Sequence, residues 1–557
     1  MKKFLYVSGV CLLFLGLFML FKDQLLGTSN TEENHSTVNE QSISDHENNE
    51  VTTTVNEIIQ QSEQGKIPYS PIVVGSTKMS KLKEKWGNPE QVTQTSEGQY
   101  GSYPGEKIAL GFQEDTIFDV RYLGSSLKKI HMKDIKRIQG EPDQVNYYKD
   151  KEHNQMILVY QMNDTYQLKW ILPKNENENP SVDHISVWTK VQSKAAKIVS
   201  KMSLQEKIGQ MIIAGFSGTT LNEETKDLIQ NKRIGGVIFY RNNIESITQT
   251  VTLLNDIKAI NEQNKTPLFL SIDQEGGRVS RLPGSLKTIP TNELIGNVNQ
   301  TKFSYGIGKV IGNELKQFGF NLDYAPVMDV NSNPDNPVIG DRSFSSNPNV
   351  VKKLGVETMK GLQSEDIVTV IKHFPGHGDT SVDSHLQLPK VNKSVEDLKK
   401  TELIPFKGAI EEGVDMVMIA HILLPQLDDK PASLSPKIIN GLLRNQMGYE
   451  GVVITDDMTM KAITNHYGIE QASVDSIKAG SDLILVAHNY NKVVAVMKTI
   501  KAAVENGEIS EERINESVER IIELKDHYQL NNKERENVNV NEINQSIEQL
   551  LNTYINE

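Results

Sequence analysis

From Ser203 to about Leu524, short apolar runs alternate with longer stretches in which apolar residues recur every three or four positions. The runs are Met211–Ala214, Gly236–Tyr240, Leu268–Ile272, Leu322–Ala325, Val368–Ile371, Asp415–Ala420, Val452–Thr455 and Asp482–Val486. Near-continuous apolar runs of this length predict strands buried on both faces. Leu221–Asn231, Ile244–Asn264 and Tyr305–Phe318 carry the helical period between them. Ser203-Leu204-Gln205-Glu206 is a capping box that opens the first helix. Eight strand–helix units over roughly 320 residues predict a (β/α)8 barrel of the TIM type, with a doubly wound open sheet as the alternative.

Ahead of this region the pattern differs. Residues 66–190 alternate apolar and polar positions and contain an internal repeat. Leu82-Lys83-Glu84-Lys85-Trp86-Gly87-Asn88-Pro89-Glu90-Gln91-Val92 returns as Ile135-Lys136-Arg137-Ile138-Gln139-Gly140-Glu141-Pro142-Asp143-Gln144-Val145. Each copy reads as a short helix stopped by glycine, then proline and a strand. Strand candidates follow at Ile108–Phe112, Ile117–Tyr122, Met156–Met162, Tyr166–Leu172 and Ile185–Trp188. The prediction is a small α+β domain of two related halves. Residues 28–65 are rich in Ser, Thr, Asn, Gln and Glu, and are expected to form a disordered linker. Residues 4–21 are uncharged and almost wholly apolar, behind Lys2 and Lys3, so residues 1–27 are expected to be a signal peptide or a membrane anchor. The barrel is assigned to 191–530 and a polar tail to 531–557.

Charge narrows the partners. The 557-residue chain has a net charge of −13, which argues against nucleic acid. Its single cysteine, Cys11, lies inside the apolar run, so the remainder holds no disulfide. The positive-inside rule places the bulk of the chain on the extracellular face of the membrane, or secreted.

The candidate chemistry lies at the C-terminal ends of the predicted strands, where a barrel carries its site. The fifth run leads into Lys372-His373-Phe374-Pro375-Gly376-His377-Gly378-Asp379-Thr380-Ser381-Val382-Asp383-Ser384-His385. On this loop Asp383 and His385 can turn toward each other, so that the carboxylate orients and polarises the imidazole. His373, His377 and His385 are natural metal ligands, but their spacing fits no zinc signature, and no metal or cofactor is assigned. Asp273-Gln274-Glu275-Gly276-Gly277-Arg278-Val279-Ser280-Arg281 follows the third run, and Gly340-Asp341-Arg342-Ser343-Phe344 lies beyond the fourth. His421 ends the sixth, and Thr455-Asp456-Asp457-Met458 ends the seventh. A lone carboxylate after a strand is often only a helix cap. Several such groups on one barrel face are harder to explain structurally.

These segments, in this order, resemble the glycoside hydrolase family 3 β-N-acetylglucosaminidases, and within them the NagZ branch. The resemblance carries Asp273–Arg281, Asp341–Phe344, Lys372–Gly378, Asp383–His385 and Val452–Asp456, and does not reach residues 1–190. Residues 66–190 resemble, more distantly, the YjgB-type domain of secreted Bacillus proteins. The family resemblance implies a retaining mechanism through a covalent glycosyl-enzyme. It puts the nucleophile on Asp456, the acid/base on His385 and its partner on Asp383. It assigns Asp273, Arg281, Arg342, Lys372 and His373 to the sugar, and Glu275 to bracing a loop. Many relatives take the acid/base carboxylate from a further domain, a role the Asp383-Ser384-His385 segment would fill here. The implied substrates are GlcNAc-containing muropeptides or chitooligosaccharides, with membrane contact through the N-terminal segment and contact with the cell wall as further partners. Two other readings stand beside it: a phosphorylase of the same family, and a catalytically inactive wall-binding protein.

Overall fold

Eight parallel strands form one sheet around the core of the C-terminal region. They are β9 (Ile212–Gly215), β10 (Gly236–Phe239), β11 (Phe269–Ile272), β12 (Leu322–Asp323), β13 (Val368–Phe374), β14 (Met416–Ile419), β15 (Val452–Thr455) and β16 (Ile484–Val486). Neighbours in the chain are neighbours in the sheet, and β16 returns to pair with β9. The seam between β15 and β16 has no regular strand ladder. It is joined by the Ile454–Leu483 bridge and by backbone bonds that include Leu483 to the Val453 carbonyl at 2.9 Å, Thr455 to the Leu483 carbonyl at 3.1 Å and Met458 to the Leu485 carbonyl at 2.9 Å. All eight predicted strands are present, within a few residues of their expected bounds.

The chain is represented by a computed structural model, which describes residues 40–555 apart from 69, 96–97, 151–152, 176–177, 191–192 and 385. The apolar run at 4–21, with Cys11, lies outside the described residues. Among the described residues no helix is long and apolar enough to cross a membrane.

The chain divides into two compact units after Gln192. In the first, β1 (Gln91–Gln94), β2 (Gln99–Tyr103), β3 (Ile108–Gln113) and β4 (Thr116–Tyr122) follow the helix Met79–Trp86. In its second half, β5 (Gln144–Lys149), β6 (Asn154–Gln161), β7 (Tyr166–Pro173) and β8 (His184–Thr189) follow the helix Met132–Gln139. The strands join as one antiparallel sheet in the order β1-β2-β3-β4-β8-β7-β6-β5, so each half is a meander and the halves meet at β4 and β8. The repeat extends to side chains. Tyr103 donates its hydroxyl to the Gly87 carbonyl at 3.1 Å, and Tyr160 donates to the Gly140 carbonyl at 2.8 Å. Both glycines have positive φ, which explains why glycine stops both helices.

Two expectations are corrected. Residues 40–62 form a helix rather than a disordered linker. Its Val55 and Ile58 are buried with Leu82, Ile135 and Trp170 in the core of the first unit. Nor is the polar tail loose. The helix Val540–Tyr554 buries Ile543 and Ile547 in the barrel's hydrophobic cluster, beside Phe303 and Ile307 of the helix Thr301–Phe318. Burial of such side chains contributes roughly 1.5–3 kcal/mol each, enough to hold a helix whose other faces are polar.

Candidate active site

The loops after β11, β12 and β13 are locked together by buried charge. Lys372, near the end of β13 and fully buried, lies 2.6 Å from Asp273 Oδ1 and 2.8 Å from Glu275 Oε1. Arg342 donates from Nε and Nη2 to the two oxygens of Glu275, at 2.8 and 2.7 Å. Burial pushes the Glu275 carboxyl up, but Arg342 and Lys372 outweigh it and hold the group well below the usual carboxylate range. Burial likewise lowers Lys372, and Asp273 with Glu275 reverses the balance, so the ammonium stays charged. A second pair crosses the same two loops in the opposite sense: Arg278 donates to Asp341 Oδ1 at 2.7 Å and to the carbonyls of Val338 and Ile339. The Gly276–Gly277 turn has positive φ at both residues, and it brings Glu275 and Arg278 to face the 338–342 segment.

His373 is held from below. Its Nδ1 lies 2.7 Å from Asp329 Oδ2, and its backbone N–H also points at this carboxylate. The His377 amide donates to Asp329 Oδ1 at 2.6 Å. Asp329 is completely buried, and although burial raises its pKa, His373 and the His377 amide bring it below the usual range. Sequence reading missed this residue. The available signal was its place just beyond the fourth strand, the position by which the other candidates were chosen.

His377 is buried, with Nδ1 at 2.9 Å from Thr380 Oγ1 and Nε2 at 3.1 Å from Ser384 Oγ. Burial first, and then the neighbouring His373, push it down to about 4, so it is neutral over the working range of most enzymes. Gly378 closes this packing: a Cβ there would lie 1.7 Å from the Val330 carbonyl oxygen, so only glycine lets the loop settle against the Asp329 segment.

On the opposite wall, Asp456 follows β15 directly. Its amide donates to the Ile419 carbonyl at 3.0 Å, and its Oδ1 accepts from the Asp457 amide at 2.8 Å. Asp457 turns back into the loop, accepting from the amides of Thr459 and Ala487 and from the Thr459 hydroxyl. His421 is buried between Ser433 Oγ, at 2.7 Å, and the Asp457 carbonyl, at 3.1 Å. Tyr240, at the end of β10, has its hydroxyl pushed well above its ordinary pKa, by burial first and then by the negative field of Asp457, Asp273 and Asp456.

The sequence-derived candidates thus fall into groups. Asp273, Lys372 and Arg342 share one ion network, and His373 shares Asp329 with the His377 amide. Arg281 donates its amide to Gln274 Oε1 at 2.8 Å, while its buried Nε has no hydrogen-bond partner among the described residues. Asp383 is half-buried, and its carbonyl accepts from the amides of Leu386 and Gln387. His385 lies outside the described residues. Among the described residues no cluster of three or more His, Cys, Asp or Glu has the arrangement of a metal site.

Beneath the network are two buried acids. Glu314, from the helix Thr301–Phe318, reaches Gln274 Nε2 at 3.5 Å, and burial raises its pKa to about 8. Asp323 accepts from the Gln274 amide at 2.9 Å, and burial raises its carboxyl well above the ordinary value. Burial thus disfavours the charged form of both, and Glu314, at about 8, stays mainly protonated at neutral pH and adds little negative charge beneath the ionised network.

Among known proteins, residues 203–524 match the Glycosyl hydrolase family 3 N terminal domain, and residues 55–188 match a domain of unknown function (DUF4309). The chain is 36% identical over 336 residues to Beta-hexosaminidase A of Pseudoalteromonas piscicida, covering 55% of this chain and 56% of that protein. It therefore spans little more than half the length of this relative. It is 35% identical over 286 residues to a Beta-hexosaminidase of Neisseria meningitidis, covering 50% of this chain and 78% of that one. A solved structure of a glycoside hydrolase family 3 beta-N-acetylglucosaminidase from Paenibacillus sp. superposes with a TM-score of 0.60 at 39% identity, over 63% of this chain and 69% of that one.

Proposed function

Because the chain belongs to glycosyl hydrolase family 3, we propose that it is a retaining exo-β-N-acetylglucosaminidase. Its relatives' names supply the sugar class: beta-hexosaminidase for the curated proteins and beta-N-acetylglucosaminidase for the solved neighbour. The observation that carries the reading is Asp456 at the end of β15, its backbone fixed to Ile419 and one oxygen held by the Asp457 amide. A carboxylate held on a strand end keeps the alignment that attack on an anomeric carbon requires.

In the first step an Asp456 oxygen bonds to the anomeric carbon as the glycosidic C–O bond breaks. The leaving oxygen takes a proton from the His385 imidazolium. In the second, a water gives its proton to neutral His385 and attacks the same carbon, releasing Asp456. Asp383 holds the imidazole's tautomer and offsets its charge. A histidine suits both steps near neutrality, since its reference pKa is near 6.5. The sugar is bound by Asp273, Lys372, His373, Arg281 and Arg342. Lys372 and Arg342 are already fixed by Glu275, so they present their remaining donors without reorganising.

The proposed substrates are peptidoglycan fragments ending in GlcNAc, met on the outer side of the membrane if residues 4–21 serve as a leader or anchor. Assaying aryl β-glycosides of GlcNAc, glucose and xylose, with and without inorganic phosphate, tests the activity. Hydrolysis of the GlcNAc glycoside, indifferent to phosphate, is expected. Preference for another sugar, or dependence on phosphate, contradicts the reading.

A further inference from the structure

The loop after β13 has two parts. Up to Thr380 it is packed: Asp329 takes the His377 amide, Asn336 Nδ2 donates to the His377 carbonyl at 2.9 Å, and Gly378 rests on Val330. Beyond Thr380 it comes to the surface. Ser381, Leu386 and Gln387 are exposed, and Val382, Asp383 and Leu388 are half-buried. Among the described residues between Thr380 and Pro389, Ser384 alone is buried, at 2% exposure.

Ser384 is tied on two sides. Its hydroxyl lies 3.1 Å from His377 Nε2. Its carbonyl accepts from the Ala462 amide at 3.2 Å, in the helix Lys461–Thr464 that follows the Asp456–Asp457 loop. His377 is itself fixed by Asp329 through its amide and by Thr380 Oγ1 at Nδ1. The anchor therefore joins the loop after β13 to the loop after β15. Its place in the chain is between the two residues assigned to proton transfer.

We propose that Ser384 is a positioning residue: through His377 and Ala462 it ties the surface segment that carries Asp383 to the loop after β15, and so supports the proton transfer assigned to Asp383 and His385. The proposal rests on the acid/base assignment above. An exposed loop samples many conformations, and an error of about 1 Å in a catalytic group can cost about a hundredfold in rate. A single buried polar anchor is the least structure that could prevent this.

The test is Ser384→Ala in the full chain, which removes the bond to His377 and leaves the carbonyl bond to Ala462. GlcNAc glycosides with a poor leaving group (methoxyphenyl) and an activated one (dinitrophenyl) are compared. The expected result is a fall of about 10–100-fold in kcat for the poor leaving group, a much smaller fall for the activated one, and a nearly constant KM. In an Asp383→Asn background the same change should add little, because the two act as one unit. Equal losses on both leaving groups, or no loss on either, overturn the proposal. His385→Ala, measured beside it, separates the two ideas. If His385→Ala shows no leaving-group dependence, the acid/base assignment has failed. If it shows one and Ser384→Ala does not, the positioning role alone has failed. Should Ser384→Ala not fold, Ser384→Cys keeps the volume with a weak donor, and must show the same leaving-group discrimination at smaller amplitude for the proposal to stand.

Discussion

The two ends of the barrel bury charge in different ways. At the floor, ahead of β16, Asp482 is completely buried and takes Arg444 at 2.6 Å, Arg520 at 3.0 Å, Ser517 at 2.8 Å and the Val453 amide at 2.9 Å. Ahead of β14, one oxygen of Asp415 accepts from the Thr369 amide and hydroxyl, from Gln363 and from Tyr528. Each floor carboxylate is ringed by donors from the surrounding strands and helices. At the roof, Lys372 bridges the carboxylates of Asp273 and Glu275 beyond the strand ends, the same end of the barrel at which Asp456 follows β15. These ions at both ends tolerate burial because each of them is paired, and removing one partner costs about 3–5 kcal/mol at either end. The difference lies in what the pairing serves. At the floor it ties strands to helices, and at the roof it fixes the side chains that the proposed function assigns to the sugar.

This contrast can be broken by substitution. Lys372→Met leaves Asp273 without its cation and should reduce kcat/KM by about a hundredfold or more, beyond any loss of folded protein. Asp482→Asn should lower the unfolding free energy by about 3–5 kcal/mol, while the protein that remains folded turns over at the normal rate. Equal effects of the two changes on turnover per folded molecule would erase the distinction between roof and floor. Asp329→Asn lies between them: it should lower kcat about tenfold, since His373 loses the group that sets its tautomer, with a modest change in thermal midpoint.

A smaller effect sharpens the same comparison through pH. Burial raises Glu314, under the roof, to about 8, against roughly 4.3 in the unfolded chain. Its contribution to stability is therefore fully present below about pH 4 and is lost as pH rises through 8. Lys525, at the floor, is buried against the Gln210 side chain and the Gly235 carbonyl, and burial lowers it to about 7, against roughly 10.4 unfolded. Its contribution is fully present above about pH 10 and is lost as pH falls through 7. Glu314→Gln should thus raise the thermal midpoint more at pH 8 than at pH 5, and Lys525→Met more at pH 6 than at pH 9. Parallel pH responses from the two variants would show that these groups do not titrate as their burial requires.

What the sequence disclosed follows from which signals are local. The barrel strands were legible because runs such as Val452–Thr455 are apolar throughout, a pattern that needs both faces covered. The polar loops at the strand ends were legible because His, Asp and Arg crowd the residues after those runs. The helix 40–62 was obscured by composition. Val51, Val55, Ile58 and Ile59 do recur at helical spacing, but they sit among Thr, Asn and Glu, and average polarity outweighed the stripe. Ile543, Ile547, Leu550 and Leu551 repeat that situation in the tail. Asp329 was missed although it lies just beyond the fourth strand, because it stands alone among apolar residues in Val327-Met328-Asp329-Val330, with no crowd of His, Asp or Arg to mark it.

The most direct test of the central claim is to trap the covalent intermediate. The protein is incubated with a slow 5-fluoro β-GlcNAc glycoside, digested, and its peptides are weighed by mass spectrometry. The account predicts one fluoroglycosyl group on the peptide carrying Asp456, absent in Asp456→Ala. Turnover without a trapped adduct and with inversion at the anomeric carbon, or the label on a peptide lacking Asp456, would contradict it.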